Sequence, residues 1–284
     1  MLEVLAQSPL LAGGYVFLVS LCVGSFLNVV IYRLPEMMER QWRQEATALL
    51  AGDQAEVPEA TERFNLLVPR SRCPHCGHQI SALENIPVIS WLALRGRCKS
   101  CHNPISPRYP LVELATALLS LLVFLVLGPT VQALVAIPVT WALVALTMID
   151  FDRQLLPDAI TLPLLWAGLL VNLNGTFVPL PAAVIGAMSG YLLLWSVYWL
   201  FKLATGKEGM GYGDFKLLAA FGAWLGWTMI PLIVLLSSVV GAIIGLCYLA
   251  IRKESAPFAF GPYIAIAGFI ALLWGRPLMQ WYLG

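Results

Sequence analysis

Apolar residues along this chain fall into long blocks, set apart by short polar breaks and one long polar stretch. The blocks run over about Leu10–Tyr32, Leu111–Leu127, Val131–Ile149, Ala159–Leu173, Leu180–Leu203, Phe215–Leu225, Met229–Ile251 and Pro262–Tyr282. About twenty apolar residues in a helix cross a bilayer, so the blocks predict about eight membrane helices. Phe215–Leu225 is the short one. As a helix it covers only about 17 Å, which predicts a partial or tilted span. The first block closes on Arg33, Leu34 and Pro35. The polar stretch that follows, Glu36 to Pro110, is the only segment long enough for a separate domain. Its first half predicts an amphipathic or loosely ordered helix, and its second half holds paired cysteines. The organisation expected is therefore a first transmembrane helix (1–35), a polar domain (36–110) and a transmembrane core (111–284). No fixed-period repeat is visible.

Composition agrees with that pattern. Of the 284 residues 59% are hydrophobic and 12% charged, where soluble domains carry about 25% charged residues. The fold class is an all-α polytopic membrane protein. A net charge of +1 says little about partners, and no nucleic-acid partner is expected. The start of the chain, MLEVLAQSPLLAGG, holds Glu3 and no Lys or Arg, so the first block reads as a retained helix rather than a cleaved signal. Ten of the seventeen Lys and Arg residues lie between Arg33 and Arg108, several of them next to a membrane end. Positive residues favour the cytoplasmic side. That places the polar domain in the cytoplasm and the N-terminus outside. Alternation then brings Arg153, Lys202, Lys207, Lys216, Arg252 and Lys253 to the cytoplasmic face and leaves only Arg276 towards the outside.

Four of the six cysteines form two CxxC pairs, Cys73/Cys76 and Cys98/Cys101, with positions 77–97 between them. Two such knuckles can present four thiolates tetrahedrally to Zn²⁺, and a filled four-sulfur shell makes the zinc structural. Four reduced thiols or a redox pair are the competing account. His75, His78 and His102 lie beside the knuckles but are not needed as ligands. Cys22 and Cys247 sit within apolar spans, where core packing is expected.

The run GMGYGDFKLL, Gly209 to Leu218, sets Asp214 at the start of the short apolar block. A carboxylate at the edge of the hydrocarbon is costly and tends to be functional, but Asp is also a good N-cap. A second carboxylate, Asp150, follows directly on the third block, with Asp152 as its rival and Asp158 placed to cap the next helix. Asp150 and Asp214 fall at the same predicted membrane face. Two carboxyl groups that meet there share a proton, so one can activate water while the other polarises a carbonyl. The competing account pairs them with Arg153 and Lys216 as inert interfacial charges.

With these residues in view, the chain resembles the type IV prepilin peptidases, bifunctional leader peptidase/N-methyltransferases of the bacterial inner membrane. The resemblance covers nearly the whole length. It rests on GSFLNVVIYRLP (Gly24–Pro35), the paired CxxC loop ending in RYPLVE (Arg108–Glu113), IDFDRQLLPD (Ile149–Asp158), GMGYGDFKLL and PFAFGPYIAIAG (Pro257–Gly268). The family belongs to the GxGD aspartyl proteases. The resemblance implies that Asp214 is catalytic and that its partner is Asp150, with Pro157 and Asp158 closing the second motif. It also implies cleavage of type IV prepilins and type II secretion pseudopilins after Gly, next to a hydrophobic helix beginning with Phe. Methylation of the new N-terminus by S-adenosylmethionine would follow. No Rossmann glycine fingerprint marks the donor's site. The polar domain is expected to hold it, with Glu84, Asn85, Arg95 and Arg108 as polar candidates. Gly24 to Asn28 reads first as close helix packing with an interhelical hydrogen bond from Asn28. A proton- or ion-coupled transporter with a regulatory zinc loop, or a zinc-stapled envelope scaffold, is the alternative class.

Overall fold

The computed structural model describes residues 8–51, 63–252 and 259–283, and every regular element among them is helical. The readings made on Glu3, Lys253, Pro257 and Phe258, and on part of the 39–63 segment, lie outside the described residues. The helices are α1 (Pro9–Ala51), α2 (Ile89–Ala93), α3 (Arg108–Leu127), α4 (Val131–Arg153), α5 (Asp158–Val171), α6 (Leu180–Thr205), α7 (Tyr212–Leu225), α8 (Ile230–Arg252) and α9 (Gly261–Leu283). All eight predicted blocks are helices. By length and composition six candidate membrane spans stand among the described residues, while α5 and α7 have 14 residues each. A 14-residue helix covers about 21 Å, less than the hydrocarbon core.

The chain divides into two compact units. One, Leu10–Leu121, contains α1, α2 and most of α3. The expected end of the first helix at Arg33–Pro35 is corrected here: α1 continues through Pro35 to Ala51. Pairs spaced four apart sustain the extension, Glu36–Arg40 and Glu39–Arg43 at 2.9 Å and Gln41–Glu45 at 2.8 Å. Instead of closing the helix, Arg33 is buried and donates to Asn65 O at 2.9 Å and Pro69 O at 2.7 Å, which ties the loop to α1. The packing reading of Gly24–Asn28 holds. A Cβ on Gly24 would lie 2.7 Å from Glu113 Cα on α3, and Asn28 Nδ2 donates to Tyr109 O at 3.1 Å. Cys22 and Cys247 are exposed on their helices rather than packed in a core. A thiol behaves as a small hydrophobe, so an apolar surrounding suits it without burial.

The second unit, from Leu122 on, is built around α7. Asp214, Phe215 and every residue from Leu217 to Leu225 are buried. Small residues allow this. A Cβ on Gly222 or Gly186 would run into the other's backbone, and one on Gly190 would lie 2.7 Å from Leu218 O, so α6 and α7 touch backbone to backbone. Trp224 fills the space against Gly168 and donates to Leu164 O at 2.8 Å. The buried Asn172 uses its whole amide. It donates to Ala223 O (2.9 Å) and Trp224 O (3.0 Å) and accepts from Phe177 N (2.9 Å) and Val178 N (3.2 Å). Those bonds satisfy carbonyls that a helix end leaves unpaired. Enclosed by protein, α7 has no need to match the lipid thickness, which is why its apolar block is short.

Candidate functional site

Two constellations stand out, one in each unit. In the second unit, Asp150 lies in the last turn of α4 and is only 4% exposed, whereas Asp152 is exposed. The helix stops just beyond, at Gln154, whose left-handed backbone (φ 51°) sends its amide to Asp150 O at 2.9 Å. Asp214 lies in the first turn of α7 and is 6% exposed. It is not the N-cap, which was the alternative reading of it: Gly211 takes that place, and Asp214 N donates to Gly211 O at 3.2 Å. Asp158 likewise opens α5 one position inside its cap, Pro157.

The two carboxyl groups are close enough for Asp150 to repel charge on Asp214. Asp150 Oδ2 and Asp214 Oδ1 are buried and have no hydrogen-bond partner among the described residues. Buried polar atoms are nearly always paired, so two orphaned oxygens in one place mark a site built for something else. The pairing with Lys216 that the competing account requires does not occur. Its ammonium sits 2.7 Å from both oxygens of Asp158, and that exposed pair leaves the buried carboxyls without a cation from α7.

Three helix ends converge on this place: the C-terminus of α4 and the N-termini of α7 and α9. Helix N-termini favour negative charge. Gly261, at the start of α9, lies against Asp150. A Cβ on Gly261 would lie 2.6 Å from Asp150 Oδ2 and 2.9 Å from Leu156 Cδ1, and one on Gly213 would lie 2.7 Å from Leu156 Cβ. Leu156, buried in the α4–α5 link, thus packs against both Gly213, next to Asp214, and Gly261, next to Asp150. Sequence reasoning gave no role to Gly261 or Leu156. The available signal was a Gly–Pro pair opening an apolar block, but the need for glycine is visible only through space. Beside Asp214, the rings of Tyr198, Tyr212 and Phe215 pack tilted or edge-on, with centroids 5.2–5.8 Å apart.

The glycine run divides accordingly. Gly213 must be slim for Leu156, while a Cβ on Gly211 meets nothing closer than 4.0 Å. Gly213→Ala is expected to displace Asp214 and lower activity by about a hundredfold, since a 1 Å misplacement carries that cost. Gly211→Ala keeps the fold, so any loss there reports a substrate passing close to the backbone. Equal, near-wild-type rates for both variants would overturn this division.

In the first unit the four cysteines come together, all sulfurs within 4.8 Å of one another. Cys73 and Cys101 stand 3.8 Å apart, and Cys76 and Cys98 4.0 Å. A tetrahedron of sulfurs at 2.3 Å from zinc has edges of about 3.8 Å, so the donor set fits. The two knuckles fold alike. Cys73 N donates to His78 O and Cys98 N to Asn103 O, both at 2.9 Å, while Gly77 (φ 72°) and His102 (φ 58°) turn the chain. The amides of Cys76 and His75 pull the Cys73 thiol down to about 7, and those of Cys101 and Ser100 lower Cys98. Cys101, crowded by the other thiols and burial, rises to about 11 despite the Asn103 amide. The histidines are not part of the cluster. His78 Nε2 instead meets Glu84 Oε2 at 3.1 Å, and Lys99 meets the other oxygen at 3.2 Å.

Glu84 also accepts from Ser81 N, and that bond, with His78 and Lys99, holds its carboxyl from an ordinary 4.5 down to about 2. A depressed value stabilises the fold above the unfolded-state value and is lost as pH falls through the folded one. Glu84→Gln is therefore expected to lower the module's resistance to proteolysis at neutral pH. The gap from wild type should close between about 4.5 and about 2, and a gap constant with pH would refute this.

Comparison with known proteins follows the same division of the chain. A model of the bacterial peptidase A24 N-terminal domain matches residues 18–127, and one of the type IV leader peptidase family matches residues 137–246, which include Asp150 and Asp214. A protein of Aeromonas salmonicida (strain A449), described as prepilin leader peptidase/N-methyltransferase, is 60% identical over 285 residues, covering 100% of this chain and 98% of that protein. Proteins of the same description from Pseudomonas putida and Dichelobacter nodosus are 59% and 53% identical. They cover 95% and 97% of this chain, and 93% and 96% of their own. No solved structure matches.

Proposed function

The chain belongs to the type IV leader peptidase family, and from that membership we infer that it cleaves prepilin leaders and methylates the new N-terminus. The observation that carries the peptidase assignment is the pair of buried carboxyl groups, Asp150 and Asp214, each with an orphaned oxygen. One removes a proton from water while the other donates to the scissile carbonyl; the water oxygen bonds to carbon, and the departing amine takes up a proton as the peptide bond breaks. Substrates are type IV prepilins and pseudopilins of type II secretion, cut between Gly and the first residue of a hydrophobic helix. Purified protein with a prepilin-like peptide carrying a Gly–Phe junction tests this; an intact peptide would reject it. A transporter would need carboxylates in mid-bilayer, whereas these lie at helix ends.

Several helices long and apolar enough to span make this a multi-pass protein of the inner membrane. The excess of Lys and Arg in 36–110 supports a cytoplasmic position for that domain, a periplasmic N-terminus and an active site at the cytoplasmic face. On that arrangement 1–35 brings the chain across, 36–110 holds the metal, and 111–284 is the peptidase core. Cys73, Cys76, Cys98 and Cys101 would hold a structural zinc; a full sulfur shell leaves no position for water.

The methyl donor is S-adenosylmethionine. The new amine, once deprotonated, takes the methyl group from the sulfonium and S-adenosylhomocysteine leaves. The polar domain is the favoured donor site, because a nucleoside does not suit lipid-facing helices. Photoactivated, labelled S-adenosylmethionine should then attach between Glu36 and Pro110, and labels confined to the membrane helices would move the site.

A further inference from the structure

The cysteine module carries an apolar stripe that neither the peptidase nor the metal uses. Leu83, Ile86, Ile89 and Leu92 recur every third residue across a 3₁₀ turn and α2, and they are 78%, 38%, 64% and 61% exposed. Large apolar side chains grouped on a surface mark an interaction site. The next step of the same spacing is Arg95, and Arg97 follows, both exposed and without an ion pair among the described residues. The carboxylate within the segment, Glu84, is already occupied by Lys99 and His78.

The segment is also pinned at a definite level. Val88 N, in the middle of the stripe, donates to Glu113 Oε2 at 2.8 Å. Glu113 lies five residues into α3, about 7.5 Å from its start. Val88 is held at φ 61°, an uncommon conformation for a β-branched residue that persists only where surroundings enforce it. Trp91 Nε1 donates to Ile105 O at 3.1 Å just ahead of α3. The stripe is thereby fixed beside the first turns of a membrane helix, where headgroups give way to acyl chains.

We propose that the stripe Leu83–Leu92, rimmed by Arg95 and Arg97, lies in the membrane interface against anionic phospholipid, so that the metal module rests on the leaflet. Apolar side chains bury among the acyl chains, and each cation near an anionic surface adds attraction. Charge complementarity selects this occupant. A basic prepilin leader would be repelled by the same rim, whereas an anionic leaflet satisfies it. The proposal is independent of the catalytic assignment.

The test uses the full chain in nanodiscs with a photoreactive benzoylphenylalanine at position 89 or 92, and at Gln44 on the polar extension of α1 as control. Variants that retain their metal are scored by mass spectrometry. Phosphatidylglycerol adducts are expected at 89 and 92 and not at 44, with a several-fold fall in Arg95→Gln/Arg97→Gln and in nanodiscs of phosphatidylcholine alone. Adducts to a second copy of the chain or to added prepilin peptide would overturn the proposal. So would lipid adducts whose yield ignores leaflet charge.

Discussion

Asp214→Asn and Asp150→Asn are each expected to lower leader cleavage by about 10⁴-fold, the scale on which acid–base chemistry contributes, while the protein stays folded. An amide of the same shape can neither take a proton from water nor give one to a carbonyl. Folding should survive because the native carboxyls are a burden to it. Each is buried with an oxygen unpartnered among the described residues, and each repels the other's charge. Relieving such a burden leaves the melting temperature unchanged or raised, the usual trade between stability and function. Asp152→Asn provides the contrast: that residue is exposed, and its loss should leave the rate near wild type. A double variant at 150 and 214 that still cleaved the Gly–Phe peptide would end the assignment.

Cys73→Ser/Cys98→Ser is expected to lose a bound metal, about one equivalent by elemental analysis in the wild type, and to unfold the module. Between residues 63 and 107 only Cys73, Gly96 and Cys98 are buried, so the thiols are themselves the core. With so little apolar surface removed from water, metal–sulfur bonds must supply the folding energy, and structural zinc supplies about 10–16 kcal/mol in small peptides. Limited proteolysis should cut the variant within 63–107 while the helices of the second unit resist. Freshly purified wild type without metal would count against the site.

What the sequence disclosed and what it withheld differ in physical kind. Eight helices were legible because a lipid environment demands long apolar runs, and the run itself is the signal. The four cysteines were legible because knuckle spacing is a local property. The end of α1 was misplaced at Pro35, since the charge pairs that carry the helix onward outweigh a proline at the head of an acidic and basic turn. The partner of Lys216 was not legible because Asp158, 58 positions away, is reached only through the folding of α5 against α7. Gly261 was invisible for a related reason: its missing Cβ matters only once a carboxyl group from another helix occupies the space. Asp150 was favoured over Asp152 because it abuts the apolar block; in the fold Asp150 is buried and Asp152 exposed.

The amide of Asn172 gives α7 a built-in end, like that of a beam set into a wall. Two hydrogen bonds from it hold that end at Ala223 and Trp224, two more tie in Phe177 and Val178, and the backbone contact with α6 stiffens the middle. The other end follows a segment with glycines at 206, 209 and 211. That end is held too: Leu156 packs against Gly213, and Asp214 beside it is buried. A substrate strand would therefore meet a carboxyl group whose position is set from both ends of its helix.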